Sequence, residues 1–247
     1  MPITLHQPPA SDERDELDRV REVYEQRRHS RIMDRYLRTN PGHLYSLHER
    51  EATMAALLCS AGLQSLAGLR ILDVGCGRGG TLRQYLDYEA DPHQLWGIEL
   101  LPAFAEQART ASPNLQIICG SATALPFPDC SFDFVSQILV FTSVMDPAVR
   151  RRIANEITRV LIPGGKFLWY DFAFNNPSNP NVRGIRLSEV RQLFPSFSIT
   201  SRRITLAPPL GRVIGRFGPT LYHLASKLRF LCTHYLCLLE KPRTAVD

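Results

Sequence analysis

The sequence predicts an α/β fold: a doubly wound, mostly parallel seven-stranded sheet with an N-terminal helical cap and a helical insert before the last strand. Three observations carry this. From Leu69 onward, short apolar runs alternate with amphipathic stretches at helical spacing, as when crossover helices join parallel strands. The apolar run Arg70–Val74 ends in Gly75-Cys76-Gly77-Arg78-Gly79-Gly80 and passes straight into a helical stretch. The first 68 residues lack that alternation and read as an extension, leaving 69–247 as the α/β domain.

In chain order, residues 1–11 are Pro-rich and expected to be disordered. Residues 12–38 are densely charged, with Leu17, Val20, Val23 and Tyr24 at helical spacing. The break Thr39-Asn40-Pro41-Gly42 precedes a second helix from about His43 to Cys59. Strands follow at Arg70–Val74, Gln94–Leu100, Leu115–Cys119, Phe132–Leu139 and Lys166–Phe172, with helices near 80–88, 102–111 and 147–161. After the fifth strand come a polar loop, a short helix near 187–194, a strand near 197–206, the insert near 209–230 and a last strand near 233–240. At 247 residues and 44% hydrophobic, the chain suits one α/β domain with embellishments and has ample material for a core.

Composition excludes several classes. No stretch approaches the roughly 20 uninterrupted apolar residues of a membrane span. The N-terminus lacks the basic start and apolar core of a signal peptide, so a cytoplasmic setting is expected. The six cysteines are scattered through apolar runs and read as buried thiols. Cys232, His234 and Cys237 tempt as metal ligands, but on a strand the first two share one face and Cys237 takes the other, so no metal is expected. Charge is uneven: residues 181–247 hold 11 Lys and Arg against 3 Asp and Glu, which points to an anionic partner near the C-terminal third. Without aromatic-basic interleaving, nucleic acid is disfavoured as that partner.

The glycine turn carries the chemistry. Ligand contact with bare backbone needs glycines there, and Gly75, Gly77 and Gly80 also satisfy GxGxxG, so a nicotinamide-dinucleotide site is the rival reading. Asp73 tips the balance. It stands two residues before the first glycine, where a dinucleotide fold keeps an apolar residue, and its carboxylate can hold a ligand's amino group. Glu99, closing the second strand, can accept both hydroxyls of a ribose, a feature the two readings share. The segments Gly120–Val135 and Arg159–Phe172 have no counterpart in the dinucleotide fingerprint.

The run from Ile71 to Phe172 resembles the class I (Rossmann-like) S-adenosylmethionine-dependent methyltransferases, especially their small-molecule branch. That resemblance implies S-adenosylmethionine as cofactor, with Asp73, Gly75 and Gly77 around its methionine part and Glu99 on its ribose. It implies Ser121 and Ala122 at the adenine and Gln137 along the cofactor. Many relatives carry Gly-Asp where this chain has Gly120-Ser121, which weakens the expected adenine contact.

Methyl transfer needs alignment and a dry pocket, plus a base when the acceptor must shed a proton. Asp171, ending the fifth strand, and His48, on the second N-terminal helix, are the expected candidates; Tyr170 and His223 are the others considered. Asn175-Asn176-Pro177 reads as a turn. Tyr24, Tyr36 and Tyr45 either face the cofactor or pack the cap helices, and packing is favoured. The insert alternates apolar residues (Leu210, Val213, Ile214, Phe217, Leu221, Leu224, Leu228) with Arg212, Arg216, His223 and Lys227, broken at Gly218-Pro219. It reads first as a lid over the acceptor and second as a peripheral membrane contact. The tail resembles methyltransferases of bacterial polysaccharide and secondary-metabolite pathways, which implies O-methylation, ahead of N- or C-methylation, of a small or lipid-linked metabolite, a sugar hydroxyl being one candidate acceptor. A cofactor-binding protein without turnover is the non-enzymatic alternative.

Overall fold

A computed structural model describes residues 11–28, 37–176 and 179–243. The Pro-rich residues 1–10, Tyr36 and Pro177 lie outside the described residues. Two helices lead the chain, α1 (Ser11–Arg28) and α2 (Pro41–Ser60). The Asn40 side chain caps α2 by accepting from the Gly42 and His43 amides.

The sheet is built from β1 (Ile71–Val74), β2 (Leu95–Glu99), β3 (Gln116–Cys119), β4 (Phe132–Ile138), β5 (Leu161–Phe172), β6 (Ser198–Leu206) and β7 (Cys232–Glu240). The linking helices are α3 (Gly80–Leu86), α4 (Pro102–Ala111), α5 (Pro147–Val160) and α6 (Leu187–Leu193). The strands lie in the order β3-β2-β1-β4-β5-β7-β6. The four pairings among β1 to β5 are parallel, whereas β7 runs antiparallel to both β5 and β6. The sheet is therefore mixed, with β7 wedged between β5 and β6. A dinucleotide-binding sheet instead continues 3-2-1-4-5-6, so the topology separates the two readings that the glycines left open.

Two layers cover the sheet. One face packs Phe132, Val135, Phe167 and Trp169 beneath α5 and α6, and the other packs Phe134, Leu168, Tyr170 and Leu236 beneath α2 and α3. Both faces are buried at the centre of the sheet, so β1, β2 and β4 run mostly apolar, whereas the edge strand β6 exposes Ser198, Thr200 and Arg202. Pro163-Gly164-Gly165 falls inside β5 as an irregularity, opposite the step from Phe132 to Phe134 on β4, so the strand begins earlier than expected.

The insert forms α7 (Pro208–Ile214) and α8 (Pro219–Ser226), broken where Gly218 adopts φ 105°. Its inner face takes only part of the apolar stripe that the spacing suggests, with Ile214, Ala225 and Leu231 packed on Tyr222 and Cys232. Gly211, Gly215, Tyr222 and Ser226 are buried there, and a β-carbon on Gly42 of α2 would lie 2.4 Å from the Gly211 carbonyl oxygen. Backbone meets backbone at α7, and Val213, Phe217, Leu221, Leu224 and Leu228 of the stripe turn outward.

Candidate active site

The strand ends of β1 and β2 form the first part of the site. Gly75, Gly77 and Gly79 all have positive φ (69°, 55° and 74°), a conformation L side chains rarely adopt. The Gly75 and Cys76 amides donate to the Ile98 carbonyl at 2.8 and 3.1 Å, tying the turn to β2. A β-carbon on Gly75 would strike Val140 at 2.4 Å, whereas at Gly77 nothing lies within 4 Å. The turn thus presents an open cradle at Gly77.

Two buried carboxylates flank that cradle. Glu99 accepts from the Gly77 amide at 2.8 Å and the Leu101 amide at 2.9 Å; burial pushes its carboxyl up against those opposing donors. Asp73 accepts from the Ser136 hydroxyl at 2.6 Å. Burial, reinforced by the Glu99 charge and opposed by that hydroxyl, pushes the Asp73 carboxyl up to about 7. Such acceptor-rich surroundings suit a ligand bearing an ammonium and vicinal hydroxyls, the donors that S-adenosylmethionine offers.

The remaining expected contacts are placed differently. Ser121 shares its hydroxyl with Thr123 Oγ1 at 2.8 Å and accepts from the Thr123 amide at 3.2 Å, so its side chain shapes its own loop. Ala122 packs against the core beside it. Gln137 is fully buried: its Oε1 accepts from the Val140 amide at 2.9 Å and its Nε2 donates to Asp171 at 3.2 Å. Asp171 also accepts from the Phe141 amide at 3.1 Å and from the Thr142 hydroxyl. Along β5, Leu168, Tyr170 and Phe172 alternate with Phe167, Trp169 and Asp171, and Asp171 falls on the face away from the cavity described below. Gln137 and Asp171 therefore brace the loop after β4. Asp171→Ala orphans a buried amide and Gln137 Nε2, so a stability loss of ~3 kcal/mol is expected, read as a lowered melting temperature.

That loop in turn holds α1. Arg19 donates to the Ser143 carbonyl at 2.6 Å, the Tyr24 hydroxyl meets Ser143 Oγ at 3.0 Å, and Glu16 accepts from the Met145 amide. Tyr24 packs edge-on to Phe104, over which the Arg78 guanidinium sits at 5.1 Å. Tyr45 instead packs on Tyr222.

Beside this cap opens a cavity of about 650 Å³. Its floor is Tyr170 and Phe172 of β5, Thr205 and Leu206 of β6 and His234 of β7, and its rim includes Tyr24, Phe104, Leu139 and Ser143. One wall is a stripe of α2, namely His43, Ser46, Leu47 and Arg50, at the i, i+3, i+4, i+7 positions of one helix face. His48 falls off that stripe. It is exposed and borders a separate cleft of about 610 Å³ with Gly75, Gly80 and Glu51.

Sequence reasoning passed over His234 as a failed metal ligand. The β5–β7 pairing sets it opposite Phe172, 3.9 Å between ring centroids, and it stacks flat on Tyr170 at 4.8 Å and 5°. Cys237 packs in the opposite layer. His234 Nδ1 lies 3.1 Å from Thr233 Oγ1, and that hydroxyl donates to the Thr205 carbonyl at 3.4 Å. With that hydroxyl donating to Thr205, a ring proton on Nδ1 would leave Nε2 as an acceptor; with it donating to Nδ1, the two roles reverse. Burial and the Arg50 charge push the imidazole down to about 3, so it stays neutral near pH 7. Tyr170, whose hydroxyl meets Thr205 Oγ1 at 2.8 Å, is pushed up to about 12 by burial.

A family model described as a methyltransferase domain matches residues 72–169. A phthiotriol/phenolphthiotriol dimycocerosates methyltransferase of Mycobacterium leprae is 37% identical over 142 residues, covering 57% of this chain and 46% of that one. A demethylmenaquinone methyltransferase of Renibacterium salmoninarum is 31% identical over 109 residues, covering 44% of each. The chain spans about half the length of the curated relatives it matches. Among solved structures, a SAM-dependent methyltransferase from Methanosarcina mazei superimposes with a TM-score of 0.57 at 20% identity, covering 76% of this chain and 97% of that one.

Proposed function

From a chain that carries the class I methyltransferase fold, matches a methyltransferase domain over residues 72–169 and has S-adenosylmethionine as its indicated cofactor, we propose O-methylation of a hydroxyl on an apolar, lipid-linked metabolite. The observation that carries the reading is the 650 Å³ cavity, with its aromatic floor, lying against the loop that packs on the glycine turn. Its size suits a small molecule or the end of a lipid. The methyltransferases named above for lipid and quinone substrates lend the acceptor class its support.

When bound, S-adenosylmethionine supplies an electrophilic methyl group on a positively charged sulfur. Asp73 holds its ammonium, Glu99 its ribose, and Gly77 lets the backbone approach it. Ser121 and Ala122 border the adenine through the shape of their loop. Tyr24 and the rest of α1 close the cleft and exclude water. Tyr170 and Phe172 seat the acceptor, and His234 Nε2 takes its hydroxyl proton. Asp171 and Gln137 are positioning residues, and His48 borders the cleft beside Gly75 and Gly80 rather than the acceptor cavity.

Calorimetric titration with S-adenosylmethionine tests the cofactor assignment, with NAD and NADP as controls. Micromolar binding of the first alone is expected, and binding of NAD instead would overturn the reading. The same experiment is expected to show proton release. With the Asp73 carboxyl near 7 in the free protein, an arriving ammonium favours the carboxylate and drives the proton off. Affinity should therefore fall about tenfold per pH unit well below ~7, and fall again at higher pH where the ligand's α-amino group, at ~8, loses its own proton. Equal heats in buffers of different ionisation enthalpy below ~7 would contradict this role for Asp73.

A further inference from the structure

The outer face of the insert carries six exposed apolar side chains: Val213, Phe217, Leu221, Leu224, Leu228 and Phe230, from 44% exposed for Leu221 to 72% for Phe217. Single exposed apolar residues are ordinary, but six on one short insert form a patch of the kind that marks an interaction surface. Along α7 and the turn after it the inner side is taken by the Gly211 and Gly215 contacts with Gly42, and on α8 by the buried Tyr222 and Ser226, while these six side chains face out.

The charge around the patch narrows the partner. No Asp or Glu occurs between Glu189 and Glu240, while Arg191, Arg202, Arg203, Arg212, Arg216, Lys227 and Arg229 all fall there. Arg216, Lys227 and Arg229 are exposed among the apolar residues. Among the described residues, neither Arg216 nor Lys227 takes part in an ion pair. A two-fold dimer through this patch would set like charges against each other, because such an interface joins the same surface of both copies and the insert carries no carboxylate of its own, the buried Glu49 reaching, of its cations, only Arg229. An anionic bilayer answers both features, the apolar side chains entering the headgroup boundary and the cations meeting lipid phosphates. Among the described residues no helix is long and apolar enough to cross a membrane, so the contact is one of lying on the surface.

We propose that the outer face of 209–230 docks on an anionic membrane surface, and that this docking brings the acceptor cavity to the bilayer. The insert is well placed for this, since Gly211, Arg212 and Tyr222 line the cavity from its inner side while Phe217 and Phe230 face out. The second half of the proposal rests on the lipid-acceptor reading above, and the first half does not.

Flotation of the full chain with phosphatidylglycerol-containing vesicles, against pure phosphatidylcholine vesicles, tests it. Binding to the anionic vesicles that weakens as salt rises is expected. The double variant Phe217→Ser/Phe230→Ser is expected to lose about tenfold or more of that binding, with unchanged melting temperature and cofactor affinity. Arg216→Gln/Lys227→Gln is expected to reduce binding at low salt and flatten the salt dependence. No flotation with anionic vesicles, or flotation that both double variants leave intact, overturns the proposal. So does a wild-type dimer in light scattering that Phe217→Ser/Phe230→Ser dissolves, since the patch would then join two copies. Vesicle binding in a protein that takes up no S-adenosylmethionine would uphold the surface and sink the methyl-transfer reading; cofactor uptake without vesicle binding would do the reverse.

Discussion

Glu99→Ala is expected to weaken S-adenosylmethionine binding by about 100-fold, the equivalent of ~3 kcal/mol. The carboxylate is placed by its own backbone donors, the Gly77 amide on one oxygen and the Leu101 amide on the other. Each oxygen keeps a second lone pair, and two ribose hydroxyls would use them. Hydrogen bonds to a charged group are worth about 1.5–3 kcal/mol each, so losing two accounts for the expected drop. The variant also leaves the Gly77 amide without its partner and loosens the turn that cradles the cofactor. Glu99→Gln is not a rescue. Its amide nitrogen must face one of two N–H donors, so it is expected to bind at least tenfold more weakly than the wild type. Calorimetry beside a thermal melt separates lost binding from lost folding. A Glu99→Ala protein that folds and binds with unchanged affinity would remove the ribose assignment.

How much of this could be read from the sequence depends on which residues local periodicity controls. The turn at Gly75–Gly80 and Glu99 sit at the ends of short strands, and there the order of strand, turn and helix already fixes the neighbourhood. Asp171 shows the opposite case. Alternation along β5 separates Tyr170 from Asp171, but both faces are apolar, so nothing in the strand says which one faces a ligand. The irregularity at Pro163-Gly164-Gly165 further breaks the count from the start of β5. His43 was within reach: counting i, i+3, i+4, i+7 from it gives Ser46, Leu47 and Arg50 and leaves His48 out. His234 was not, because its place beside Tyr170 depends on β7 lying between β5 and β6, a pairing no short-range pattern carries. The insert misled for a related reason. An apolar stripe normally marks the buried face, but here glycines, Tyr222 and Ser226 take most of the inner contact and leave much of the stripe to solvent.

His234→Ala is expected to lower kcat by about tenfold, the loss of one hydrogen bond to the acceptor hydroxyl as positive charge builds on it, while cofactor affinity changes by less than about twofold. An imidazole held down to about 3 is a weak base, and the reaction class makes that sufficient. A hydroxyl that has gained a methyl group is a strong acid until it sheds its proton, so Nε2 needs only to be present, neutral and aimed. The role requires the tautomer with its proton on Nδ1, toward the Thr233 hydroxyl, and the flat stack on Tyr170 holds the ring plane. The Arg50 charge disfavours imidazolium, so the proton passes on to water at the cavity mouth and the base resets. The pH profile distinguishes this role from mere packing. Because the neutral form is the working one and the group titrates near 3, kcat on a long-chain alcohol in mixed micelles should show no acid limb at the ordinary histidine value of about 6.5. Imidazole added to His234→Ala should restore part of the rate by filling the space that the ring leaves, which would not occur if the loss came from a collapsed floor. A variant with wild-type kcat, or one whose loss imidazole does not touch and whose melting temperature has dropped in parallel, would reduce His234 to a packing residue and leave the acceptor proton to water alone.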